Sequence, residues 1–158
     1  MPLSGSWQPY VDALYAVFEA DFLTTKPAVP RRTWSTKRYP ESLGKASTFW
    51  HIISEASEDS KDEAERIPDP RRCERIRWPR PLVDALGHSD LRCWRNQRGR
   101  SERICISTSD FSYVIVLEDR AKKGYIMLWT SYHVELGHRR RAFQREHAAF
   151  IKSGAPLL

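Results

Sequence analysis

The chain has 158 residues and a mass of 18.5 kDa, with 41% hydrophobic and 29% charged residues and a formal net charge of +6. That length suits one domain able to bury a core, and six Trp, six Tyr and six Phe exclude wholesale disorder, which lacks such apolar surface. No run approaches the roughly 18 apolar residues of a bilayer-spanning helix, and no basic stretch leads into an apolar one at the N-terminus, so a cytoplasmic protein with no membrane partner is expected.

In chain order, Val11, Leu14, Tyr15, Phe18 and Phe22 recur at helical spacing after Pro9 and predict a helix over Tyr10–Phe22. Residues 23–43 form a long connection with Pro27, Pro30 and Pro40, holding one short strand candidate, Arg32–Lys37. A second helix is expected over Ser47–Ala56, carrying Phe49, Trp50, Ile52 and Ile53. Residues 57–70 are acidic and polar and read as a loop. Asp69 suits an N-cap with Pro70 at the first helical position. A basic helix follows to about Ile76, Pro79 and Pro81 reset it, and Pro81–Leu86 adds a short turn closed by Gly87.

The second half changes period. Leu91–Gln97, Arg103–Thr108, Tyr113–Asp119 and Tyr125–Val134 are rich in Ile, Val, Tyr and Trp and are separated by turn residues, the pattern of a meander. His138–Ile151 closes the chain as a helix with a basic outer face and Phe143, His147 and Phe150 or Ile151 inward. The expected fold is α+β: N-terminal helices, a four-stranded antiparallel meander sheet, then a C-terminal helix.

Charge is unevenly spread. Residues 71–103 hold ten Arg against four acids, and 19 of the 26 basic residues are Arg. Arginine's planar fork fits phosphate, so a polyanion such as RNA is the simplest partner. Arg-rich codon usage with a solvated basic face also accounts for the composition. Cys73, Cys93 and Cys105 form no close pair, which fits half-buried structural thiols rather than disulfides or zinc ligands. No cofactor is expected, because the dinucleotide, phosphate-loop and nucleophile-elbow motifs are all missing from the sequence.

Several residues could carry chemistry. His51 and Glu55 stand at i and i+4, where a carboxylate can orient an imidazole; an ordinary surface pair has the same spacing. A metal site is not expected there, for want of a third ligand. Thr130 and Tyr132 share one face of the last strand, which ordinary packing also explains. Arg103 lies with Cys105 and Ser107 on one face of the second strand, and Arg120 ends the third. Cleaving RNA without metal needs a base for the 2′-hydroxyl, donors for the phosphorane charge and an acid for the leaving oxygen. His, Arg and Thr or Tyr cover all three.

Five stretches then fall in order: Phe49–Glu55, Arg72–Trp78, Trp94–Asn96, Tyr113–Arg120 and Leu128–Tyr132. This order resembles the phage- and prophage-associated branch of the barnase–EndoU–colicin–RelE-like nucleases, over roughly residues 45–150. The resemblance implies a nuclease core over 46–152, with 1–45 a helix and extended connection of open role and 153–158 a tail. It implies a metal-independent, toxin-like endoribonuclease that leaves a 2′,3′-cyclic phosphate, with an acidic antitoxin or immunity protein as partner. His51 matches the family's helix histidine, Thr130 and Tyr132 its last-strand pattern, Arg103 and Arg120 its sheet arginines. Ser131 departs from the small apolar residue expected after Thr130. On this reading His51 is base or acid, Glu55 orients it, Arg103 and Arg120 hold the phosphate, and Thr130 and Tyr132 position the phosphate or 2′-hydroxyl. Arg72, Arg75, Asn96, Arg98, Arg139, Arg140 and Arg141 would bind flanking RNA, and Trp78 or Trp94 would stack a base. The rival expectation is a non-catalytic nucleic-acid-binding or prophage regulatory domain using the same face.

Overall fold

The computed structural model describes residues 7–56 and 66–158; most of the acidic loop expected over 57–70 lies outside them. Helix α1 spans Trp7–Phe18 and runs into a π-helical turn, Glu19–Thr24. Val11, Leu14, Phe18 and Phe22 are all buried. The widened turn therefore carries the apolar stripe to Phe22, as the spacing predicts, although the α-helix itself stops earlier.

Strand β1 is Thr33–Thr36. Helix α2 spans Ser47–Ile53 and gives way to the two-residue strand β2, Ser54–Glu55, which pairs with β3, Ile67–Pro68. The expected helix to Ala56 is thus cut short, for a local reason. The Ser54 N–H makes the last helical bond, to the Trp50 carbonyl, but its own backbone is extended (φ −139°, ψ 160°), and its hydroxyl donates to that same carbonyl. Arg66 donates to the Ser54 hydroxyl at 3.0 Å and to its carbonyl at 2.7 Å. Glu55 is therefore not on one helical face with His51.

Helix α3, Pro70–Glu74, begins as expected, with the Asp69 carboxylate accepting from the Arg71 N–H at 2.9 Å and Pro70 in the first turn. Helix α4 is Pro79–Asp84. The meander follows as β4 (Arg92–Arg98), β5 (Ser101–Ser107), β6 (Tyr113–Arg120) and β7 (Tyr125–His133). The hairpin between β6 and β7 closes at Gly124, whose φ of 77° is one that side-chain-bearing residues rarely adopt. Helix α5, Gly137–Ser153, completes the fold. The architecture is α+β, with one addition to the expected meander. Strand β1 joins β7 in parallel, making a five-stranded mixed sheet of order β1-β7-β6-β5-β4.

Each sheet face buries its own cluster. On one face, Ile104, Ile106, Ile115, Leu117, Ile126 and Leu128 meet apolar side chains of α1, α2, α3 and α4. On the other, Trp94, Cys105, Val114 and Val116 meet Phe143 of α5 and Phe111 of the turn before β6. Residues 7–45 thus contribute to the same core as the sheet.

The first face ends at a buried charge. The Asp119 carboxylate accepts from Arg32 at 2.7 and 3.1 Å and lies 2.9 Å from Arg95. Burial alone would raise this carboxyl, and the two guanidiniums outweigh it and hold Asp119 below its usual range. Arg95 also donates to the Leu157 carbonyl at 2.8 Å, tying down the tail. No helix among the described residues is long and apolar enough to cross a membrane.

Candidate active site

The candidate residues gather around β7 because its outer edge changes partner. Strand β1 pairs with it only from Tyr125 to Leu128. Immediately beyond, the register to β6 slips: Leu117 faces Leu128 while Val116 faces Thr130, leaving Trp129 as the extra residue of a bulge. Trp129 lies on the α5 face, where it and Tyr132 both pack against the second cluster. Helix α2 takes over the edge that β1 leaves. The Thr130 hydroxyl donates to the His51 carbonyl at 2.9 Å. The His51 ring meets Trp129 edge-on, with centroids 5.4 Å apart.

Arg72 is the second tie. From α3 it donates to the carbonyls of His51 at 2.9 Å and Ser54 at 3.0 Å, and its guanidinium lies over the Tyr132 ring at 5.2 Å. Its side chain is 11% exposed, with Asp69 at 3.6 Å and Glu55 at 3.7 Å. Burial lowers its pKa, yet an arginine keeps its proton through the neutral range. One cation thus fixes the end of α2, the small β2 strand and the Tyr132 ring together.

These groups line a cleft of about 670 Å³, with His51, Glu55, Arg66, Arg72, Trp129, Thr130, Tyr132, His133, Glu135 and Arg139 in its wall. Three arginines and two histidines face two carboxylates, and Glu135 is itself ion-paired with Arg71, so the cleft favours an anion. Burial pushes the Tyr132 phenol up, partly offset by Arg139, Arg72 and Arg98; the hydroxyl stays protonated at neutral pH and can donate a proton. Burial, followed by Arg75, Arg140 and Arg71, lowers His133 below the usual 6.5, so this imidazole is neutral at pH 7 and can accept one. Cysteine nucleophiles are not at hand. Burial drives Cys73 to about 11 and Cys105 to about 12, so both remain thiols. Among the described residues, no three His, Cys, Asp or Glu side chains cluster to hold a metal ion.

The expected residues divide. His51, Glu55, Arg72, Thr130, Tyr132 and Arg139 share the cleft. Thr130 spends its proton on the protein backbone rather than offering it to a ligand. Arg103 lies two strands over, on β5, its guanidinium over Trp129 at 5.3 Å. Arg120 is farther off, lining a second cleft and ion-paired with Glu118.

Other expected RNA contacts are engaged elsewhere. Trp94 is fully buried; it packs against Phe111 and Phe143, and its indole N–H donates to Glu146 at 2.9 Å. It cannot stack a base, because it is the centre of the α5 packing. Asn96 and Arg98 also reach Glu146, at 3.0 and 3.5 Å. Arg140 donates to the Val134 carbonyl at 2.8 Å. Arg75 lies over the Trp78 ring at 5.1 Å, and that ring is 44% exposed. Arg141 is exposed on α5.

Sequence reasoning missed Arg66, His133 and Glu135. His133 alternates to the opposite face from Tyr132, yet near the end of β7, beyond the last β1 pairing at Leu128, both line the cleft. Compared with protein-family models, with curated proteins and with solved structures, the chain matches none.

Proposed function

We propose that the chain is a metal-independent endoribonuclease of the toxin-like kind, related to the barnase–EndoU–colicin–RelE-like nucleases. The observation that carries this reading is the basic cleft at the end of β7, in which His51, Arg72, Tyr132 and Arg139 come together. In the proposed reaction His51 takes the proton of a ribose 2′-hydroxyl. The freed oxygen attacks the adjacent phosphorus, the bond to the 5′-oxygen breaks, and Tyr132 returns a proton to that oxygen. The products are a 2′,3′-cyclic phosphate and a 5′-hydroxyl.

Arg139 and the outer edge of Arg72 face the charge that builds on the phosphorane. Thr130 acts through His51 as a positioning residue. His133 offers a further imidazole in the same wall, itself neutral at pH 7. In a toxin setting the silencing partner is an acidic protein that covers this cleft.

The test is cleavage of a defined RNA in EDTA, beside the same RNA with one 2′-deoxy nucleotide at the cut. Cyclic-phosphate ends from the first and none at the substituted position support the reading. Binding without cutting at any protein concentration reduces the chain to the rival, an RNA-binding domain.

A further inference from the structure

A second cleft, of about 530 Å³, also has Trp129 in its wall. Trp129 is a wall common to both clefts. Its ring is already a cation platform, with the Lys37 ammonium 5.7 Å and the Arg103 guanidinium 5.3 Å from its centroid. Three basic residues line the second cleft: Lys37, Arg38 and Arg120. The one carboxylate in its wall, Glu118, is 4% exposed and paired with Arg120.

At the rim stands Tyr39, 65% exposed, with the Arg38 guanidinium 5.5 Å from its ring. Nothing in the core requires a tyrosine there. An exposed aromatic beside a row of cations is the chemistry that holds single-stranded nucleic acid, the ring stacking a base and the cations following the backbone. A paired base has both faces covered within its helix and cannot stack on such a ring.

We propose that the second cleft is a subsite for nucleotides flanking the cut, so that the substrate is a single-stranded RNA segment that passes Trp129 and lays a base on Tyr39. The proposal rests on the nuclease reading of the first cleft and names its substrate class. It reassigns Arg120 from the reacting phosphate to a flanking one. The path is continuous, because one side chain, Trp129, borders both clefts, and basic residues outnumber carboxylates in the wall of each.

The test uses the full chain and uncleavable 2′-O-methyl RNA, with affinity read by fluorescence anisotropy. The probes are a single strand of about eight nucleotides, its duplex and a dinucleotide. Tyr39→Ala should weaken the longer strand about 10-fold, the loss of one stacked base, and leave the dinucleotide unchanged. Lys37→Gln should lower the salt dependence of the longer strand by about one phosphate contact. Tyr39 is exposed, so an unchanged unfolding midpoint is expected for its variant.

Equal affinity of wild type and both variants for the longer strand overturns the proposal. So does a preference for the duplex, or displacement by poly-glutamate of a strand whose affinity ignores Tyr39. The two readings fail separately. If unmodified RNA is never cut yet the longer strand still depends on Tyr39, the nuclease reading falls and the subsite stands. If RNA is cut and Tyr39→Ala alters neither affinity nor cutting, the subsite falls alone.

Discussion

The Thr130 hydroxyl donates to the His51 carbonyl at 2.9 Å, joining the bulge of the last strand to a helix 79 residues earlier. This one bond couples the imidazole's backbone to the sheet. The carbonyl has a second donor in Arg72, also at 2.9 Å, so it stays satisfied if Thr130 is lost.

Thr130→Val keeps the shape of the side chain and removes only the hydroxyl. Its stability cost should be about 1 kcal/mol, that of one hydrogen bond whose acceptor keeps another partner. We expect kcat on RNA to fall about 10-fold with KM nearly unchanged, since a small displacement of a catalytic group lowers rate more than binding. Thr130→Ser should recover most of the rate. A rise in KM with kcat preserved would instead mean that Thr130 touches substrate directly.

Trp94 separates packing from recognition. Trp94→Ala should destabilise the fold by about 3–5 kcal/mol through the cavity it leaves, measured by urea unfolding. Trp94→Phe keeps a ring against Phe111 and Phe143 but loses the donor to Glu146, and should cost about 1–3 kcal/mol. Folded Trp94→Phe should bind RNA as wild type does. Weakened RNA binding without destabilisation would restore the stacking role.

Much of this layout was legible from residue pattern. Ile, Val and Tyr mark three of the four meander strands and Leu91, Cys93 and Trp94 the first, and Asp69 with Pro70 marks the start of a helix. The shared face of Thr130 and Tyr132 follows from strand period. What pattern could not carry was anything set by a partner distant in sequence. The parallel pairing of β1 with β7 joins Thr33 to Tyr125, and no local spacing encodes it. The bulge at Trp129 depends on which residue of β6 faces it. Trp94 and Trp78 look alike in sequence, yet α5 covers the first and leaves the second exposed. For the same reason Arg72, expected as a peripheral phosphate contact, proves to be the tie between α2, β2 and Tyr132.

Acid should weaken the fold through two histidines. Burial lowers His147, which lies against Trp94 and Phe111, and His133 is lowered as well. Their folded pKa values lie below the unfolded 6.5, so in between the unfolded chain binds more protons and stability rises with pH. The contribution is complete above 6.5 and is lost as pH falls through the folded values. Asp110, held at about 2 by hydrogen bonds from Ser112 and Thr108, adds a further loss between its usual 3.8 and about 2. The urea midpoint should therefore be lower at about pH 5 than at about pH 7.5, and His147→Gln should shrink the difference. A midpoint independent of pH over that range would contradict this.

The central claim is that the cleft imidazole moves the proton. The most direct measurement is single-turnover cleavage of an unstructured RNA in EDTA by wild type and His51→Ala, with folding checked by thermal unfolding and RNA affinity by anisotropy. The account predicts a rate lower by at least about 100-fold, the usual contribution of a general acid or base, with fold and affinity retained. Cutting by His51→Ala at the wild-type rate would contradict it.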